Sequence, residues 1–182
     1  MDKLALKQRC CAAIDAHREQ IIALAEDIYR NPEMGYHEFR STEKVASLLS
    51  ELGLDVTSGI AYTGCEAKAG KENGPVVAVM GELDSLNCPD HPDCAANGNM
   101  HSCGHHAQLA YLYGCAIGLI KADILPELSG SVKFIAIPAE ECVELEWRKG
   151  LIADGKLKYL GGKQELIRLG VFDDIDMAVM VH

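Results

Sequence analysis

Apolar residues at positions 14, 21, 25 and 28 (Ile14, Ile21, Ala25, Ile28) stand seven, four and three apart. That spacing puts them on one helical stripe and predicts a single helix over about 4–30. Asn31-Pro32 ends it, because the residue before a proline avoids the α region. Val45, Leu48, Leu49 and Leu52 mark the buried face of a second helix, from near 38 or 41 to 52, with Gly53 as its stop. The pattern then changes period. Residues 55–60 and 65–69 predict two short strands around a turn. Val76 to Met80 is an unbroken apolar run that suits a central strand.

A loop over 86–99, rich in Asn, Asp, Pro and Gly, follows and is long enough to suggest a functional role. Next come a helix over about 104–121, a strand over 132–137 limited by Pro138, and shorter helical signals over 145–154 and 163–169. Gly161-Gly162 and Gly170 punctuate that stretch, and a last strand covers 176–181. Strands alternating with helices predict one layered α/β domain, with no internal repeat and no low-complexity tract.

The net charge of −10 argues against a nucleic-acid or anionic-membrane partner, both of which require a basic face. The longest apolar run, from Ala107 to Ile120, is too short to span a bilayer and predicts a buried helix. The N-terminus has no apolar signal-peptide core, so a cytoplasmic location is the default. Eight cysteines are irregularly spaced and form no C-x-x-C pair. Cys10, Cys11, Cys65 and Cys115 are expected as buried free thiols, and Cys88 and Cys94 as loop thiols. His17, His37 and His91 are expected at the surface or in turns, and Glu144 and Glu146 on a solvated helix face.

The chemistry concentrates in Met100-His101-Ser102-Cys103-Gly104-His105-His106, where one thiol and three imidazoles precede the apolar helix. Ligands collect at the carboxyl ends of strands in open α/β sheets. Glu82 and Asp84 follow one predicted strand, Glu140 and Glu141 a second, and His182 a third. Thiolate, imidazole and carboxylate together suit zinc, manganese, cobalt or nickel better than magnesium or calcium. Adjacent Glu140 and Glu141 suggest a division of labour, one carboxylate ligating and the other handling a proton. Two other readings stay open: a hydrolase with Cys103 as nucleophile and His105 or His106 as base, and a truncated, non-catalytic homologue.

Arg30-Asn31-Pro32-Glu33-Met34-Gly35, Gly81-Glu82-Leu83-Asp84-Ser85-Leu86, His101-Ser102-Cys103-Gly104-His105, Pro138-Ala139-Glu140-Glu141 and Val181-His182 occur in that order along the chain. This succession resembles the metallo-amidohydrolases of the aminoacylase and carboxypeptidase superfamily. The branch it is most similar to contains hippurate hydrolase, indole-acetyl-amino-acid hydrolase and the aminobenzoyl-glutamate utilisation proteins. The resemblance implies a layered α/β/α, zinc-peptidase-like domain with a mixed, largely parallel central sheet, incomplete at the C-terminus. Residues 1–182 would be the N-terminal part of the metal-binding domain. An inserted dimerisation domain and the C-terminal catalytic half would be absent, and the full-length form would be a homo-oligomer.

The resemblance further implies two divalent ions held by Cys103, His105, Glu141 and His182. Glu140 would serve as general base and then acid, and Asp84 would orient a ligand. The reaction would be amide cleavage of an N-acyl amino acid or amino-acid conjugate by a metal-activated water. The 182 residues alone would bind metal weakly and turn over little. Many relatives carry Asp and His where this chain has His106 and Gln108, and Asp where it has Glu82. These departures are expected to leave the proposed ligands untouched.

Overall fold

The computed structural model describes residues 2–182. The predicted first helix is two helices, α1 (Lys3–Ala16) and α2 (Arg18–Arg30). They meet at His17, whose Nδ1 lies 2.8 Å from the Ala13 carbonyl oxygen. That ring competes with the backbone for a helical acceptor, and neither proline nor glycine announces the break. Helix α1 buries no residue fully, whereas α2 buries Leu24 and Ile28. Cys11 is therefore exposed and Cys10 and Cys115 only half-buried. Of the four thiols expected inside, Cys65 alone is fully buried.

Helix α3 (Phe39–Glu51) buries Val45 and Leu49, as its stripe predicts. Its first amides, at Arg40 and Ser41, donate to the Glu33 carboxylate at 3.1 and 2.7 Å. Strands β1 (Val56–Ile60), β2 (Gly64–Gly70) and β3 (Val76–Glu82) follow. The long loop is less irregular than expected, because β4 (Leu86–Asn87) and β5 (Asn99–Met100) pair across it. Then come α4 (His105–Lys121), β6 (Ser131–Ile137), α5 (Leu145–Ala153), α6 (Gly162–Arg168) and β7 (Met177–Met180).

The main sheet has the order β1-β2-β6-β3-β7. β1–β2 and β2–β6 pair antiparallel, while β3 pairs parallel with both β6 and β7. The sheet is mixed, with parallel pairing confined to one half. Every residue of β6 is buried, so both its faces are covered. Val132, Phe134 and Ala136 pack with α2, α3 and α4 on one face. Ile135 and Ile137 pack with Ala78, Leu166 and Val171 on the other. Two covered faces make three layers, α/β/α.

Lys133 is the exception in β6, and its Nζ reaches the Val171 carbonyl at 2.8 Å and Glu66 at 3.2 Å. Its stem lies in the core while the charge finds acceptors at the edge. Helix α4 is buried on most sides and comes so close to β3 that a Cβ at Gly81 would stand 3.1 Å from the Gln108 carbonyl. That approach brings the start of α4 to the C-terminal end of β3. Among the described residues, no helix is long and apolar enough to cross a membrane.

Candidate metal centre

Three strands deliver side chains to one edge. β3 ends at Glu82, with Asp84 two residues on. β6 ends at Ile137, and the chain turns through Pro138 and Ala139 into Glu140 and Glu141. His182 stands two residues beyond β7. Ala139 makes its turn in the left-handed region, at φ 49°. A non-glycine residue there is strained and needs surrounding support. Its amide donates to Glu38 Oε1 at 2.8 Å, and its carbonyl accepts from Gly162 at 3.1 Å. Glu38 is itself fully buried and accepts from Thr63 Oγ1 at 2.6 Å. Burial, reinforced by Asp84, pushes its carboxyl up to about 8.

Gly104 (φ 92°) turns the chain into α4 and aims His105 back at the sheet. The His105 ring is completely buried. Its Nδ1 lies 2.8 Å from the Asp84 carbonyl oxygen and 3.3 Å from Asp84 Oδ1. With a proton donated there, Nε2 presents a lone pair. It faces Glu82 Oε2 at 3.0 Å, with Glu140 Oε2 and Glu141 Oε1 each at 4.0 Å. Nε2 has no hydrogen-bond partner. A lone pair surrounded by carboxylate oxygens is repulsive unless a proton or a metal ion sits among them. Burial alone would depress the His105 imidazole, but Asp84 and Glu82 outweigh it and hold it well above the usual histidine range. Glu82 moves the other way: burial would raise it, but His105, Lys163 and Gln108 hold it below the usual carboxylate range.

Cys103 Sγ lies 3.7 Å from His182 Nε2. Cys103, His105 and His182 together offer ligand atoms within 4.8 Å of one another. Glu82, His105 and Glu140 form a second such group, sharing His105. Soft sulfur and two imidazoles on one side, and two carboxylates with the shared imidazole on the other, form a donor set that fits a transition-metal dication. Burial pushes the Cys103 thiol up, with His105 pulling against it. A bound cation would supply the stabilisation that a thiolate needs.

All six residues singled out from the sequence lie at this edge. Asp84, almost completely buried, touches His105 and accepts from the Glu141 amide through Oδ2 at 2.9 Å. Glu141 lies 4.0 Å from His105 and belongs to neither three-donor group, while Glu140 belongs to one. Of the three clustered imidazoles only His105 takes part. His101 is buried, and burial drives it down to about 3. His106 packs against the Tyr29 ring at 4.8 Å.

Sequence reasoning placed Glu82 at this edge without giving it a role, and it passed over Gln108 and Lys163. Glu82 and Gln108 are not remote departures, since they form a reciprocal pair. The Gln108 side-chain amide donates to Glu82 Oε2 at 3.0 Å, and the Glu82 backbone amide donates to Gln108 Oε1 at 3.1 Å. A longer acid at 82 and an amide at 108 are matched in length, and reading the two positions together would have signalled it. Lys163, which contacts the Glu82 carboxylate, follows two glycines that read in the sequence only as punctuation.

No protein-family model matches the chain. Thermostable carboxypeptidase 2 of Saccharolobus solfataricus is 32% identical over 168 residues, covering 89% of this chain and 38% of its own length. One subunit of the p-aminobenzoyl-glutamate hydrolase of Escherichia coli is 30% identical over 178 residues, covering 93% and 34%. A Bacillus subtilis dinuclear metal-binding peptidase of the M20 family superposes with a TM-score of 0.71 at 26% identity, over 90% of this chain and 42% of that one. The chain thus spans well under half the length of each of these relatives.

Proposed function

Because this chain belongs to the aminoacylase and carboxypeptidase superfamily of metal-dependent hydrolases, we propose that it forms the metal-binding part of an amidohydrolase. Its substrates would be N-acyl amino acids or related amino-acid conjugates. The observation that carries the reading is the buried His105 Nε2, ringed by the carboxylates of Glu82, Glu140 and Glu141, with Cys103 and His182 beside it. Cys103, His105, Glu141 and His182 would hold two divalent ions, which supply Lewis acidity and a water of lowered pKa. Zinc, manganese, cobalt and nickel fit the donors.

The chain's own residues account for the remaining steps. Asp84 fixes the His105 tautomer through Nδ1, so that Nε2 is free to ligate, and it holds the Glu141 backbone through Oδ2. Glu140 would take a proton from the attacking water and return it to the leaving amine. It is partly exposed, reachable by substrate, and lies beside the ligand cluster without being enclosed by it. The strained turn at Ala139 and its two backbone bonds keep that carboxylate in register.

The 3.7 Å approach of Cys103 to His182 favours one other reading, a cysteine nucleophile with an imidazole base. An inhibition comparison on the encoded protein separates the two. The metal reading expects release of amino acid from hippurate-like or aminobenzoyl-glutamate-like compounds to stop on chelation and return with added metal. Release that survives chelation but is abolished by thiol alkylation would overturn it.

A further inference from the structure

A cavity of about 550 Å³ opens beside Glu140, and Arg148, Lys158, Tyr159, Leu160 and Gln164 form part of its wall. That volume falls within the range of about 300–1,000 Å³ usual for small-molecule sites. Glu140 is the one carboxylate among the lining residues, and it shares the wall with two cations, Arg148 and Lys158.

Arg148 is the unusual one. It is only 1% exposed. The five other arginines of the chain each pair with a carboxylate. Arg148 pairs with none among the described residues, and its Nε and Nη2 have no hydrogen-bond partner. Its Nη1 donates to the Leu160 carbonyl at 3.1 Å, and Leu160 also lines the cavity. The Tyr36 ring, 5.3 Å from the guanidinium carbon, compensates the charge only in part. A buried charge left without a counter-ion is costly.

The backbone makes room for this charge and fixes the rim. A Cβ at Gly35 would fall 2.1 Å from Arg148 Nη2 and 2.9 Å from Ala139 Cα. The guanidinium therefore lies against the turn that carries Glu140. At the rim, the Lys158 and Tyr159 amides both donate to Glu165 Oε2 at 3.0 Å, and Glu165 is buried. That anchoring leaves the Lys158 side chain exposed.

We propose that this cavity is a subsite for a carboxylate of the substrate. Arg148 supplies an unscreened positive charge from the wall, and the Lys158 ammonium supplies a direct contact at the rim. Resting on the reading of Glu140 as the proton carrier, the subsite narrows the substrates to conjugates that carry an acid close to the scissile amide.

NMR titration of the chain, stripped of metal on a chelating resin, tests the subsite apart from any contact between metal and carboxylate. The probes are N-acetylglutamate, N-acetylglutamine, N-acetylisoglutamine and the uncharged N-acetylglutamine amide. N-acetylglutamate is expected to move the Arg148 Nε–H resonance saturably, and the uncharged amide to leave it in place. The single acid that reproduces the movement identifies the bound group as the α-carboxylate or the side-chain carboxylate. Arg148→Met and Lys158→Gln are each expected to weaken binding about tenfold or more. Lys158→Arg, which keeps the charge, is expected to bind as wild type. Lys158→Gln, at an exposed position, carries the test by itself if Arg148→Met does not fold. Equal binding of the uncharged amide, an unmoved Nε–H resonance, or unchanged affinity in Lys158→Gln would overturn the subsite. Those results leave the metal-centre reading standing, which fails separately if the wild-type chain binds no zinc.

Discussion

The two halves of the central sheet differ in chemistry as well as in strand direction. In the antiparallel half, β1 and β2 run opposite ways and send their ends to opposite edges. In the parallel half, β6, β3 and β7 all end at the same edge. That edge receives Glu140 and Glu141, then Glu82 and Asp84, then His182, while the turn into α4 adds Cys103 and the first residue of α4 adds His105. Parallel pairing is slightly less stable per residue and needs long crossovers. In return it gathers several strand ends, and here every candidate ligand, at one place.

Two cysteines test this division, one in each half. The largest effect is expected at the parallel end: Cys103→Ser or His105→Ala should lower zinc affinity by at least about a hundredfold in a chelator competition, because each removes a direct donor. Unfolding midpoints of Cys103→Ser should stay near wild type, since Cys103 is exposed. An unchanged zinc affinity in both variants would break the comparison. Asp84→Asn should cost about ten- to a hundredfold in zinc affinity, since it only supports ligands. Cys65, buried in β2, should behave in the reverse way. Cys65→Ser places a hydroxyl in the core and should cost about 1–3 kcal/mol in denaturant unfolding, with zinc affinity unchanged.

Per unit of pH, the smallest effect concerns Glu38, which ties the two halves together through Thr63 and Ala139. Its folded-state carboxyl is pushed up to about 8, above its unfolded value. The native state therefore holds a proton that the unfolded chain releases between about pH 4.5 and 8. Stability should fall as pH rises through that window and level off above it, with a slope of at most about 1.4 kcal/mol per pH unit. Glu38→Gln should flatten the slope in urea unfolding measured across pH. A slope that is unchanged, or steeper, would refute the assignment.

Much of this was legible in the sequence, for identifiable reasons. Strand period and the unbroken apolar run at 76–80 located the strands, and both ends of α4 fell within a residue of prediction. The break at His17 was not legible, because it rests on a side chain competing for the Ala13 carbonyl and not on a breaker residue. The burial of Cys11 was overestimated because α1 packs with no fully buried face. At the site, the ligand types could be read from their crowding and from the strand ends. The Glu82–Gln108 pair and Lys163 were missed because each depends on contacts across 26 and 81 positions, which local pattern does not encode.

The central claim is that Cys103, His105 and His182 surround a common cation. X-ray absorption at the zinc edge of the zinc-loaded chain tests it most directly. The account predicts one sulfur at about 2.3 Å with imidazole nitrogens at about 2.0–2.1 Å, and loss of the sulfur shell in Cys103→Ser. A zinc site with only oxygen and nitrogen neighbours in the wild type, or a sulfur shell that persists in Cys103→Ser, would contradict it.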